Sequence, residues 1–599
     1  MSTAYVPPQS HHTNAPAPPP PEPPSVPPHA SEATRLLCGG TYQNAEYRDR
    51  VIEELHLNEQ RIVAPSSGFD AARVLAHALR ARRQEWWWSA AVIGLWAVGV
   101  PLSGGLLLGL MGASLFIALA PWLRGGAEQP PWYRLLAAFV ARWYGRVSFA
   151  GVLVIMAVTA FGAFPEDDSG SGSGSGSGSF DDPLYSGGSS GTSGSSGSDG
   201  PESLGVLFPA GGDGGPAEIW QAWFGIGVLV LIALCAAARR DRFARAFAAE
   251  LSPQRFPDIT GDPAEQAEGQ RLARLTHRIR REQHAPLIMY DEARPFCGAG
   301  TPYDTWVLAV ELRPDDGVEQ RPLSNRTILE SVRPLLEQLR VPAPHAAAFA
   351  RDRLRRLEID ECVFLPVEGL TDRDQAPYTP QAFEQHRQRA VEEGGEKRRH
   401  FLRIRVGGWE EELVVTVFVR VHTQGRMLML EVAPHVLNPV RAEFKEVDRT
   451  SHRLLHDSVL GKAAGALALV PGSAGRSLVA LGRGAFYGWR LLTGGHSGAL
   501  PDGPALSVRE LAAADSASTF QEMDVARYLR TVQDRIGRGV RQALADAGYE
   551  TGEFVQKIVN ISNGAVHIDR VEGSTFAIGE NASAAGTTVT GKGSPDDGK

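Results

Sequence analysis

The sequence predicts a multi-span α-helical membrane protein, with four transmembrane helices joined to a large cytoplasmic α+β domain. Three observations carry that expectation. Residues 86–123, 147–165 and 219–238 are uncharged. Arginines cluster on alternate sides of these runs, and the longest loop between them has none. Beyond residue 284 the apolar period shifts to a mixture of strands and helices.

Trp86–Leu123 carries no charge over 38 residues. As one helix it would rise about 57 Å, against a hydrocarbon core of ~30 Å. Two spans, about 86–101 and 105–123, fit instead, with Pro101, Gly104 and Gly105 making the turn. Residues 147–165 and 219–238, runs of 19 and 20, complete the four. Orientation follows from the flanks. Arg80, Arg82 and Arg83 precede the first span; Arg124, Arg134, Arg142 and Arg146 separate the second and third; Arg239, Arg240, Arg242 and Arg245 follow the fourth. Residues 165–217 hold no Lys or Arg, so this Gly/Ser-rich loop (166–218 between spans) faces outward and both termini face the cytoplasm. Trp86, Trp87, Trp88, Trp122, Trp132, Trp143, Trp220 and Trp223 sit near span ends, as an interfacial belt requires.

The flanking segments read in order. Residues 1–30 hold eleven prolines between Pro7 and Pro28, cannot bury a core and are expected to be disordered. Residues 31–85 are a cytoplasmic helical segment, with Tyr47, Val51 and Leu55 at helical spacing and Asp70 as an N-cap. Residues 239–283 form a basic juxtamembrane segment with a polar helix over Ala264–Glu282. Residues 284–450 form the α+β domain: strands at 287–290, 306–312 and 362–367, a helix at 327–340, and a three-strand meander at 401–406, 413–422 and 426–432. Residues 501–579 contain a helix, Phe520–Ala547, with a capping box read at Thr519-x-x-Glu522. Short β-like pieces over Phe554–Ile578 follow it, around an Asn563-Gly564 turn. Residues 580–599 are low in complexity and expected to be disordered.

Residues 451–500 form a basic amphipathic segment. Lys462, Arg476, Arg483 and Arg490 are separated by multiples of seven, which places the arginines in one stripe on a helix. This reads as a helix on the membrane surface, with the stripe against anionic lipid headgroups.

Catalytic motifs are missing from the sequence. Gly461-Lys462 lacks the upstream glycine and following Ser/Thr of a phosphate-binding loop. Cys38, Cys235, Cys297 and Cys362 are scattered, which argues against a cysteine zinc site. Asp448, His452 and His456 would share a helix face but show no completing ligands. Cys297 lies in a Gly-rich turn with no base in register, so a structural role is expected. No catalytic residue, metal or cofactor is therefore expected. A net charge of −8 argues against nucleic acid as a partner.

Arg35–Tyr42, Tyr47–Val51, Pro295–Gly300, Val415–Val421 and Asn438–Glu443 carry a resemblance to a group of uncharacterised actinobacterial integral membrane proteins. An excess of arginine over lysine, 54 to 6, agrees with a GC-rich genome. The resemblance implies a bacterial plasma-membrane protein and no particular activity. The spans lack charged and histidine residues, which disfavours a channel or transporter. The expected function is a membrane-anchored cytoplasmic scaffold or sensor, the alternative a membrane-bound enzyme with its site in 284–450. Expected partners are the lipid bilayer and its anionic headgroups, with a cytoplasmic protein partner or self-association also open.

Overall fold

The computed structural model describes residues 26–125, 130–161, 219–266, 269–340, 354, 356–393, 395–408, 412–493 and 499–562. The Pro-rich start, the Gly/Ser-rich loop and the tail from Asn563 onward lie outside the described residues.

Short helices α1 (Glu32–Gln43) and α2 (Ala45–Ile52) lead to α3 (Ala71–Leu102). No proline separates Asp70 from Pro101, and α3 runs unbroken for 32 residues. Asp70 is its N-cap, accepting from the Ala72 amide at 3.0 Å. Ser103–Gly105 then reverse the chain, with φ of +59° at Gly104 and +86° at Gly105, the left-handed region that favours glycine. Helix α4 (Leu106–Arg124) returns, followed by α5 (Trp132–Ala160) and α6 (Ile219–Glu250).

Four helical segments are long and apolar enough to cross a membrane by length and composition: Leu106–Arg124, Trp132–Ala160, Ile219–Glu250 and Val459–Thr493. In the first three, only 28% of the apolar window is buried within the protein. Trp122, Trp132 and Phe139 expose well over half their surface. So large an apolar girdle calls for an apolar surrounding. The expected first span, 86–101, is the later half of α3 and is not one of these four. An 18-residue window there takes in Glu85 and four weakly hydropathic tryptophans. That half of α3 nonetheless packs in the bundle, with Val92 and Trp96 buried against Leu107, Leu110, Val228 and Ile232.

The early half of α3 lies in a second core. Val74, Leu75 and Ala78 pack with Leu37, Val51, Phe247, Phe444 and Val508. Phe247 comes from the end of α6, whose earlier residues belong to the bundle core. Two helices thus pass unbroken from the bundle into this helical region. The polar helix expected at 264–282 is α7 (Gln270–Gln283); residues 251–266 form turns instead, anchored by Asp262.

The sheet domain contains β1 (Leu287–Tyr290), β2 (Thr301–Pro302), β3 (Trp306–Glu311), α8 (Asn325–Glu337), β4 (Glu358–Pro366), α9 (Pro380–Glu392), β5 (Arg399–Gly408), β6 (Leu413–Gln424) and β7 (Met427–Leu437). These strands form one sheet, ordered β1-β4-β5-β6-β7-β2, with β3 also pairing to β7. Only β1 and β4 run parallel. Alternation divides the two faces. Leu402, Ile404 and Val406 face a core shared with α8, while Phe401 joins Phe364, Phe418 and Phe296 on the other side.

Helices α10 (Ala442–Lys445) and α11 (Val447–His456) return the chain to the bundle, followed by α12 (Val459–Leu467) and α13 (Ser473–Thr493). After α14 (Val508–Leu511), α15 (Thr519–Asp546) and α16 (Gly552–Ser562) complete the sheet domain's helical layer. The capping box uses Ser518 and Gln521, one residue before the expected pair. The expected strand-like stretch from Phe554 is helical as far as Ser562. Phe554 and Ile558, four apart, pack on the α15 core, while Lys557 donates to the Ala309 carbonyl at 2.9 Å. Helical spacing there outweighs the β-branched composition.

Candidate functional site

Helices α12 and α13 build the most distinctive site. The α3/α4 turn marks one end of the bundle, where Gly225 of α6 also lies beside Ser103. Far from there, Gly465 in the last turn of α12 lies against the Arg240 guanidinium. Around Pro471 the chain reaches deep among the helices. The Trp96 indole donates to the Ser473 hydroxyl at 3.3 Å, and the Gly475 amide donates to the Ser114 hydroxyl at 3.1 Å. A Cβ at Gly475 would stand 2.7 Å from the Ser114 carbonyl oxygen, so only glycine permits this approach. The chain then leaves by the end at which it entered. Gly484 lies on Trp86, the Tyr487 hydroxyl meets His56 Nδ1 at 2.8 Å, and Arg490 pairs with Glu53 at 2.7 Å. Val459–Thr493 is therefore a bent, re-entrant segment, although its 35 residues are enough to cross.

The four stripe residues occupy different settings. Lys462 donates to the Leu455 carbonyl at 2.9 Å. Arg476 donates to the carbonyls of Gly472, at 3.1 Å, and Leu469, closing the bend. Arg483 lies 3.9 Å from Asp49, and Arg490 holds Glu53. Each basic side chain thus has a partner within the protein.

Arg476 and Arg483, but neither Lys462 nor Arg490, line a crevice of about 2070 Å³ between α3, α4, α6 and the re-entrant segment. Its walls include Val92, Leu115, Phe116 and Ile232, and arginines from five helices converge on it: Arg48, Arg80, Arg142, Arg239, Arg240, Arg242, Arg245, Arg476 and Arg483. Two glutamates, Glu85 and Glu250, also line it. Both are engaged: Glu85 holds Arg48, and Glu250 accepts from Arg80 at 2.9 Å. In the sequence Arg80, Arg142, Arg239, Arg240, Arg242 and Arg245 serve as topology signals and Arg476 and Arg483 as part of the basic stripe. Their convergence depends on how distant helices pack, and no sequence spacing encodes it.

The sheet domain offers less for chemistry. Glu361 accepts from Arg333 and Arg387 at 2.8 Å and lies 3.1 Å from His400 Nε2. The hydrogen bond with His400, against the cost of burial and with help from Arg387, brings this carboxyl down to about 2. So acidic and saturated a carboxylate is a poor proton acceptor near neutral pH. Among the described residues, no three His, Cys, Asp or Glu side chains are grouped to hold a metal. Asp448 instead receives Arg35 through two bonds, at 2.9 and 2.7 Å.

Cys297 is buried, and its sulfur lies 4.0 Å from Glu510, whose carboxylate also accepts from the Gly298 and Gly300 amides at 2.7 and 2.9 Å. Burial, and then the Glu510 charge, push the thiol well above its ordinary range. Cys297 in the folded chain is expected to resist a maleimide at pH 8 and to react after denaturation. Fast labelling of the native protein, located by peptide mapping, would refute the structural assignment.

Residues 305–576, less than half the chain, match the model of a family described as AbeC-like domain. This match takes in the sheet from β3 onward and the re-entrant segment, but none of α3–α6. No curated protein and no solved structure matches the chain.

Proposed function

We propose that this protein is a multi-span bacterial plasma-membrane protein with both termini in the cytoplasm, acting as a scaffold or sensor that couples its membrane bundle to a cytoplasmic sheet domain. One observation carries this reading: α3 and α6 each contribute to the bundle core and to the core of the helical region without a break. A continuous helix transmits tilt or rotation, whereas a flexible linker would absorb it. The helical region is in turn joined to the sheet by buried ion pairs and hydrogen bonds, among them Glu282 with Arg373 and Arg509 with the Glu412 and Asn438 carbonyls. A bacterial, actinobacterial origin agrees with the arginine-rich composition.

Purification of the full chain from native membranes in mild detergent tests this proposal. A protein partner, or a second copy of the chain, retained in stoichiometric amount through a high-salt wash is the expected result. A chain that purifies alone, holding a small organic molecule that it converts, would replace this reading with that of a membrane-bound enzyme.

A further inference from the structure

The crevice carries a more specific inference, which rests on the membrane placement proposed above. Nine arginines line it, of which Arg48, Arg80, Arg239, Arg245 and Arg483 are paired with Glu85, Glu250, Asp241 or Asp49. Arg240, Arg242 and Arg476 have no carboxylate within 4.0 Å among the described residues. Arg242 lies instead 5.6 Å from the Trp88 ring centre, and Arg240 against Gly465. Concentrated like charge beside apolar walls is costly unless an anion joins it. Planar guanidinium groups suit a phosphate, which can accept two parallel hydrogen bonds from each.

The walls select among phosphates. Leu115, Phe116 and Ile232 come from α4 and α6, both apolar enough to cross a membrane. They offer hydrocarbon contact that a free ion cannot use. The crevice exceeds the usual ~300–1,000 Å³ of small-molecule pockets about twofold, which suits a long-chain guest. We propose that it binds one anionic amphiphile, with a phosphate headgroup on Arg240, Arg242 and Arg476 and hydrocarbon between α4 and α6.

The test uses the full chain in neutral detergent, with phosphatidylglycerol as probe and phosphatidylcholine and inorganic phosphate as comparisons. Native mass spectrometry is expected to show one phosphatidylglycerol retained per chain, and the probe to raise the unfolding temperature saturably. Neither comparison compound should do so. Arg240→Gln combined with Arg242→Gln should weaken binding about tenfold or more. Arg530→Gln, on an exposed position of α15, should leave it unchanged. An equal effect of phosphatidylcholine would overturn headgroup recognition, and an equal effect of inorganic phosphate would overturn the amphiphile. Unchanged affinity in a double variant that unfolds like the wild type would move the headgroup away from these arginines. Should the double variant fail to fold, mass spectrometry of the wild type decides, since a chain retaining no phosphate-bearing lipid contradicts the proposal. None of these failures touches the scaffold reading, which depends on the partner that co-purifies.

Discussion

Replacement of Asp262 by alanine is expected to destabilise the helical region by about 3–5 kcal/mol. Its Oδ2 accepts from Arg73 at 2.7 and 3.0 Å and lies 3.0 Å from His77 Nε2, all three side chains being almost fully buried. Arg73 also donates to the carbonyls of His29 and Phe256, which ties the first turn of α3 to the chain before α1 and after α6. Loss of the carboxylate leaves a guanidinium buried without a counter-charge, and that is the costly half of breaking such a pair. Burial by itself raises the Asp262 carboxyl, but the hydrogen bond and charge of His77, with Arg73 and the Ala264 amide, outweigh it and hold the group well below the usual range. A carboxyl lowered on folding stabilises above its unfolded pKa, about 4, and the contribution fades as pH falls further. Thermal unfolding in detergent should show a large loss in Asp262→Ala at pH 7, and a smaller gap from wild type under acid conditions. A gap independent of pH would assign the effect to packing alone.

Glu282→Ala should cost a similar ~3–5 kcal/mol, but at a different joint. Glu282, at the end of α7, is fully buried, pairs with Arg373 at 2.5 Å and accepts from the Val63 amide at 3.1 Å. Arg373 belongs to the sheet domain, between β4 and α9, and also donates to the Glu59 carbonyl. Removal of Glu282 strands Arg373 with few alternatives. Hydrogen exchange should accelerate over residues 58–66 and 370–378, while the bundle core around Trp96 keeps its protection. Uniform loss of protection would mean that bundle and sheet domain unfold as one unit, with no separate joint at Glu282.

The elements most legible in the sequence are those governed by local pattern. The meander was visible because β5, β6 and β7 are consecutive and closed by short turns, so their pairing needs only neighbouring residues. Parallel pairing of β1 with β4 spans some seventy residues of sequence, and no local rule reveals it. Charge hid the continuity of α3. Arg82, Arg83 and Glu85 suggest a break before the first span, yet a helix needs only a missing proline and a satisfied cap to run on. Heptad spacing of the arginines correctly indicated a helix over 473–493, but it could not say what that helix packs against. Gly475, Gly484 and Ser473 are the residues that admit it to the bundle, and small residues in a polar-apolar run look the same at a surface. The crevice was least legible, because its arginines come from elements more than four hundred residues apart.

Composition alone would let Val459–Thr493 cross the bilayer, so its re-entrant course decides the topology. Its most direct test is two-point labelling in a chain whose four native cysteines are replaced by alanine. Single cysteines at Val459 and Leu492, each more than four-fifths exposed, mark the two ends. Both are predicted to react with a membrane-impermeant maleimide in inside-out vesicles and to stay unlabelled in intact cells. Labelling of either position in intact cells would contradict the re-entrant course, because it would place one end of the segment outside.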